Sequence, residues 1–188
     1  MTDLPLRTNY SRVAIALHWI VALALIANLA GGLLADSIDK ADKPAWMALH
    51  KATGITILAL TLAQVAWRLG HKPPPLAPTV LAWEVVLSRV VHWGFYLLAI
   101  AVPLSGWTMV SAGARKFAIG WYGLFDVPFL PVAQGKALAG GAKETHELLA
   151  FAMIGLALIH ILAALKHHFW DRDDTVMRIL PLLRRPVD

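Results

Sequence analysis

"KETHELLAFAMIGLALIHILAALKHHFW", residues 143–170, carries His146, His160, His167 and His168 through a stretch otherwise built mainly from Leu, Ala and Ile. An imidazole among hydrocarbon side chains costs free energy unless it is partnered, and the cost is greater in lipid than in a soluble core. Whether this stretch crosses a membrane therefore decides both the fold and the meaning of its histidines. Its apolar part, residues 144–166, exceeds the roughly 20 residues that cover about 30 Å of hydrocarbon at 1.5 Å per residue. Working outward, three more runs of the same kind occupy residues 13–35, 45–67 and 85–111. None alternates strictly, so helices are expected rather than barrel strands.

Composition agrees. The 188 residues are 58% hydrophobic and 15% charged, against roughly 25% charged in an ordinary soluble domain. The expectation is an all-α integral membrane protein, one four-helix bundle domain spanning residues 1–188. The first run is longer than a signal-peptide core and lacks a small-residue cleavage pattern, so it reads as a retained helix. Four spans put both termini on one side. Arg7, Arg12, Arg68, Lys72, Arg89, Lys166, Arg172, Arg178, Arg184 and Arg185 fall on that side, and Lys40, Lys43, Lys51, Arg115, Lys116, Lys136 and Lys143 on the other. The larger group belongs inside, which places both termini in the cytoplasm. Topology and contact with the lipid surface then account for the net charge of +5, and no nucleic-acid partner is called for.

The connections fit this layout. "RLGHKPPPLAP", residues 68–78, ends the second helix in a proline-rich cytoplasmic linker that holds His71 in solvent, because proline cannot continue a helix and favours extended backbone. The outer segment "FAIGWYGLFDVPFLPV", residues 117–132, is apolar but broken by Gly and Pro. It is expected as an interfacial lid with Trp121, Tyr122 and Phe125 at headgroup depth. The tail "DDTVMRILPLLRRP", residues 173–186, is expected as a short amphipathic segment.

Depth then sorts the histidines. His18 lies near the cytoplasmic start of the first helix and His50 near the outer start of the second. His146 lies near the outer end of the fourth helix, with His160 fourteen residues on. At about 100° per residue, fourteen steps return to within about 40° of the same face with a rise of roughly 21 Å. His50 pairs with His146 at the outer level, and His18 with His160 at the inner one. Two stacked pairs suit two bis-histidine haem b groups, six-coordinate and built for electron transfer. Gly31, Gly32, Gly54, Gly94 and Gly155 leave room for flat macrocycles, though close helix packing explains any one of them equally well. The absence of Cys excludes covalent haem attachment, thiolate-bound clusters and disulfides. A metal-transport site would gather His and carboxylates at one level, and the spans hold almost no acid besides Glu147.

His92, at the depth of His18 and His160, is expected beside the inner pair, either structurally, next to a quinone, or in place of one ligand. His167 and His168 lie just beyond the last span beside Trp170, either as interfacial residues or as donors to a quinone carbonyl, since imidazole titrates near neutral pH.

The motifs "YSRVAIALHW", "LHKATG", "RVVHWGFYLLAIAVPLSGW", "HELLAFAMIGLALIH" and "AALKHHFWDRDDTVMRILP" resemble the bacterial cytochrome b561 family over nearly the whole chain. The resemblance implies His18 with His160 and His50 with His146 as haem ligands. It also implies a quinone such as ubiquinone as electron acceptor and, as in small stand-alone members, superoxide as donor. On that reading Lys51, Arg115 and Lys116, aided by Lys136 and Lys143, draw the anion to the outer surface, although Asp36, Asp39, Asp42 and Asp126 offset part of their charge. Arg12, His92, His167 and His168 are the candidates around the quinone. The second reading is a haem-bearing membrane anchor of a larger dehydrogenase or hydrogenase, which would need a docking surface that the short outer loops do not obviously supply.

Overall fold

The computed structural model describes residues 10–71, 73–74, 80–114 and 118–180. Arg7, Lys72, Arg115, Lys116, Arg184 and Arg185 lie outside these residues. Four helices are long and apolar enough to cross a membrane: α1 (Arg12–Leu34), α2 (Lys43–Gly70), α3 (Ala82–Ala112) and α4 (Lys136–Leu165). Local chemistry sets their ends. The Ser11 hydroxyl accepts from Ala14 N–H and caps α1. The Glu84 carboxylate reaches back to Leu81 N–H at the start of α3. Helix α2 stops at Gly70, just before the proline run. Helix α4 begins at Lys136, eight residues before the apolar run, because "KALAGGAK" is helix-competent although it is not lipid-like.

Helix α3 packs most extensively on α4, α1 packs on α2, and α2 on α3. The outward faces are apolar and exposed, with Leu23, Leu97, Leu148, Phe151 and Leu162 all more than half accessible. Water would not tolerate such a continuous surface, whereas lipid does. The buried side chains are few and mostly small, Ala52, Ile57, Leu58, Ala99 and Met153 among them. Between the helices lies a cavity of about 570 Å³ reaching from Leu25 and Ala99 up to Lys51 and Glu147. That volume is of the size that encloses a small molecule or cofactor.

Residues 118–135 of the connection between α3 and α4 contain a hairpin. Strands β1 (Ile119–Trp121) and β2 (Phe125–Val127) form an antiparallel hairpin with Trp121 opposite Phe125. Tyr122 and Gly123 take positive φ at its tip, the backbone that a primed hairpin turn requires. The Trp121 indole donates to Thr56 Oγ1 at 3.0 Å, and the Tyr122 hydroxyl lies 3.1 Å from Thr53 Oγ1, so the hairpin is pinned to α2. On the far side, Trp107 Nε1 donates to the Pro128 carbonyl and Leu130 N–H to Ser111 Oγ.

At the other end of the bundle α4 runs into a π-helical turn, Lys166–Asp171, followed by α5 (Thr175–Ile179). The Trp19 indole donates to the Ile179 carbonyl at 2.9 Å. This bond ties α5 to the start of α1, so the two ends of the described chain share one end of the bundle. Helix α5 is the described part of the expected amphipathic tail, and residues 181–186 of it lie outside the described residues.

Candidate functional site

Helices α1 and α2 meet α4 across the central gap through histidines. The rings of His18 and His160 stand 6.4 Å apart between centroids, and those of His50 and His146 stand 6.2 Å apart. Two imidazoles on opposite faces of one metal ion, each bonded at about 2.0–2.1 Å with the ring centre about 1.1 Å further on, lie about 6.3 Å apart. Both pairs therefore have the separation at which they could hold one ion, such as a haem iron, between them.

The surroundings of His50 and His146 fit the same group. His50 Nδ1 is buried without a hydrogen bond of good geometry, having only a weak approach to the Asn28 backbone. His146 Nδ1 lies 2.8 Å from the Val102 carbonyl, which only accepts, so Nδ1 carries the proton and Nε2 keeps a free lone pair. A Cβ on Gly32 would stand 3.3 Å from His50 Cε1, and one on Gly106 would stand 3.2 Å from both Cε1 and Nδ1 of His146. Glycine lets each ring lie close against the neighbouring helix, and a Cβ at either position would make the ring give by a few tenths of an ångström. The cavity opens onto both rings and is walled largely by apolar residues such as Leu29, Met47, Val102 and Ile154.

Three rings gather at the level of His18 and His160. His92 lies 5.6 Å from His160, and its Nδ1 is held by the Ser88 carbonyl one turn back on its own helix. Phe95 packs edge-on against His160 at 5.3 Å. The His92 separation is shorter than the bridging value, and the His18 separation matches it.

Beyond the inner level, the π-helical turn collects charge. His167 Nδ1 donates to Asp173 at 2.7 Å, and Lys166 Nζ bridges Glu84 at 2.9 Å and Asp171 at 2.6 Å. Burial pushes the Asp173 carboxyl up, but hydrogen bonds from Thr175 and from His167 outweigh it and hold the group below its ordinary value. Glu84, His167 and Asp171 cluster closely enough to suggest a metal site, yet the lysine ammonium already lies between the two carboxylates. His168 Nδ1 is buried and has no hydrogen-bond partner among the described residues. Arg12 is exposed at the first position of α1 and, among the described residues, makes no hydrogen bond or ion pair with this group.

At the hairpin end of the bundle Lys51 lines the cavity, half-buried. Lys143 pairs with Glu147 at 3.2 Å beside it, Lys43 pairs with Asp36 at 2.8 Å, and Lys136 is exposed. Sequence reasoning missed Gly106, Ser105, Asp173 and the Val102 carbonyl. The available signal for the first two was "PLSGW", in which a small residue follows an intrahelical proline by one turn.

The comparisons agree with this architecture. The family described as prokaryotic cytochrome b561 matches residues 9–182. Cytochrome b561 homolog 2 of Escherichia coli is 32% identical over 176 residues, 92% of this chain and 91% of that protein. The probable superoxide oxidase CybB of Yersinia pestis is 32% identical over 177 residues, 94% of this chain and 98% of that protein. Cytochrome b562 of Cereibacter sphaeroides is 27% identical over 178 residues, 92% and 95% respectively. A membrane bundle with paired imidazoles facing across its interior, matched from the first helix to the tail, places the chain in the prokaryotic cytochrome b561 family of membrane electron-transfer proteins, a membership that implies haem b.

Proposed function

We propose that the chain binds two haem b groups and carries electrons from superoxide at the outer face of the inner membrane to a quinone, ubiquinone in the simplest case, at the cytoplasmic face where both termini lie. The observation that carries the proposal is the repetition at two depths of an imidazole pair at the bridging separation. His50 and His146 hold the outer group, and His18 and His160 the inner one. When bound, the haems supply reversible one-electron transfer.

The chain's own residues do the rest. Lys51, at the cavity wall, attracts a small anion toward the outer pair, with Arg115 and Lys116 as further candidates for that role. The apolar wall of α1, α2 and α3 keeps water from the path. At the inner end His167, with its Nδ1–H held by the Asp173 carboxylate, offers Nε2 to take up and release a proton. His168 has a buried ring nitrogen with no hydrogen-bond partner among the described residues, suited to a quinone carbonyl. His92 and Arg12 border this region. The anchor-subunit reading finds no specific support in the geometry.

The test is haem per polypeptide on the purified chain, with oxidised and reduced visible spectra, followed by superoxide-driven quinone reduction. Two low-spin haems per chain, one lost in His18→Ala and the other in His50→Ala, are expected. Two haems surviving in either variant would defeat the ligand assignment. A chain with both haems that reduces no quinone from superoxide would leave the electron-transfer fold but remove the proposed substrates.

A further inference from the structure

This inference deepens the ligand assignment proposed above and rests on it. The Val102 carbonyl serves two donors, His146 Nδ1 at 2.8 Å and the Ser105 hydroxyl at 2.7 Å, and Ser105 Oγ itself lies 3.3 Å from His146 Nδ1. We propose that Ser105 is a positioning residue that raises the reduction potential of the outer haem, by sharing the carbonyl that orients His146.

A metal-bound imidazole becomes a stronger electron donor as its distal N–H is more strongly hydrogen-bonded, which favours the oxidised metal and lowers its potential. The serine hydroxyl donates to the same Val102 oxygen and draws on the same lone pairs, so the His146 N–H bond is weaker than it would be alone. Acceptance by Ser105 Oγ at 3.3 Å is too long to restore the difference. Among the described residues no side-chain hydroxyl lies within hydrogen-bond distance of the His18 or His160 ring. The serine therefore acts on one pair only, and a higher potential at the outer pair makes it the better acceptor for an electron arriving from that side.

The experiment is a potentiometric titration of the full haem-loaded chain, monitored in the visible, for the unmodified protein, Ser105→Ala and Ser105→Thr, with haem content measured on each sample. In Ser105→Ala one midpoint should fall, corresponding to a several-fold change in the reduction equilibrium, where tenfold equals about 59 mV for one electron. The other midpoint should stay, and Ser105→Thr should behave as the unmodified chain. In haem-depleted protein the His146 Nδ1 proton resonance should move downfield in Ser105→Ala, as the bond to Val102 strengthens. Unchanged or raised midpoints with two haems retained would overturn the proposal. So would loss of the outer haem from Ser105→Ala, which would make the hydroxyl a structural prop. Absence of haem from the unmodified chain would instead refute the underlying ligand assignment.

Discussion

Gly106 sets up a sharp experiment, because a single added carbon there meets the ring of one proposed haem ligand. A Cβ at this position stands 3.2 Å from both Cε1 and Nδ1 of His146. The ring cannot slide aside without stretching its 2.8 Å bond to Val102. Alanine in place of a mid-helix glycine gains about 0.5–1 kcal/mol of backbone entropy, whereas overpacking a filled site costs about 1–3 kcal/mol. The difference, up to roughly 2.5 kcal/mol, falls on the pose of one ligand and weakens outer haem binding by up to about sixtyfold, at tenfold per 1.4 kcal/mol. Gly106→Val, with two further methyls, should lose that haem altogether.

Gly94 is the control, since a Cβ there meets Leu156 Cδ2, also at 3.2 Å, and the end of a leucine can rotate away. Haem per chain and a redox titration on Gly106→Ala, Gly106→Val and Gly94→Ala are the assay. One haem retained in Gly106→Val and two in Gly94→Ala are expected. Two haems at unchanged potentials in Gly106→Val would refute the reasoning, because the ring would then have room that the geometry denies it.

Other consequences can be measured separately. The Asp173 carboxyl, held low in the folded chain, contributes stability above the ordinary carboxylate value of about 3.9 and loses it as pH falls through its lowered one. Carbon NMR of that carboxyl should give a midpoint below the ordinary value, and a midpoint at or above it would contradict the His167 and Thr175 contacts. Trp121→Phe removes the indole donor to Thr56 and should cost about 0.5–1.5 kcal/mol, read as a lower Tm; an unchanged Tm would mean that the hairpin is not pinned through this bond. Lys51→Gln should slow superoxide-driven reduction a few-fold and flatten its dependence on ionic strength. An unaltered salt dependence would remove Lys51 from the steering role.

The spans were legible because lipid demands length and apolarity from any helix that crosses it, and residues 13–35, 45–67, 85–111 and 144–166 meet that demand with little ambiguity. The early start of α4 was not legible by the same criterion, since hydropathy says nothing about where a helix continues outside the bilayer. The hairpin was obscured for a related reason. Residues 119–127 read as apolar and interrupted, and only the contacts of Trp121 and Tyr122 with Thr56 and Thr53 turn that interruption into a turn between two strands. Asp173 was hidden in a charged tail, where nothing marks one carboxylate over its neighbours until the chain folds back.

By itself the sequence determined the helical membrane class and the spacing of the histidines along each helix, because rise and rotation per residue are constants of the helix and need no knowledge of neighbours. Tertiary structure decided how far apart the paired rings stand across the gap, 6.4 and 6.2 Å between centroids. It also decided that Gly106 rather than Gly155 backs a histidine, and that one backbone carbonyl serves both His146 and Ser105. These depend on the rotation of one helix relative to another, which is fixed by side-chain packing between segments distant in the chain and not by the periodicity of either.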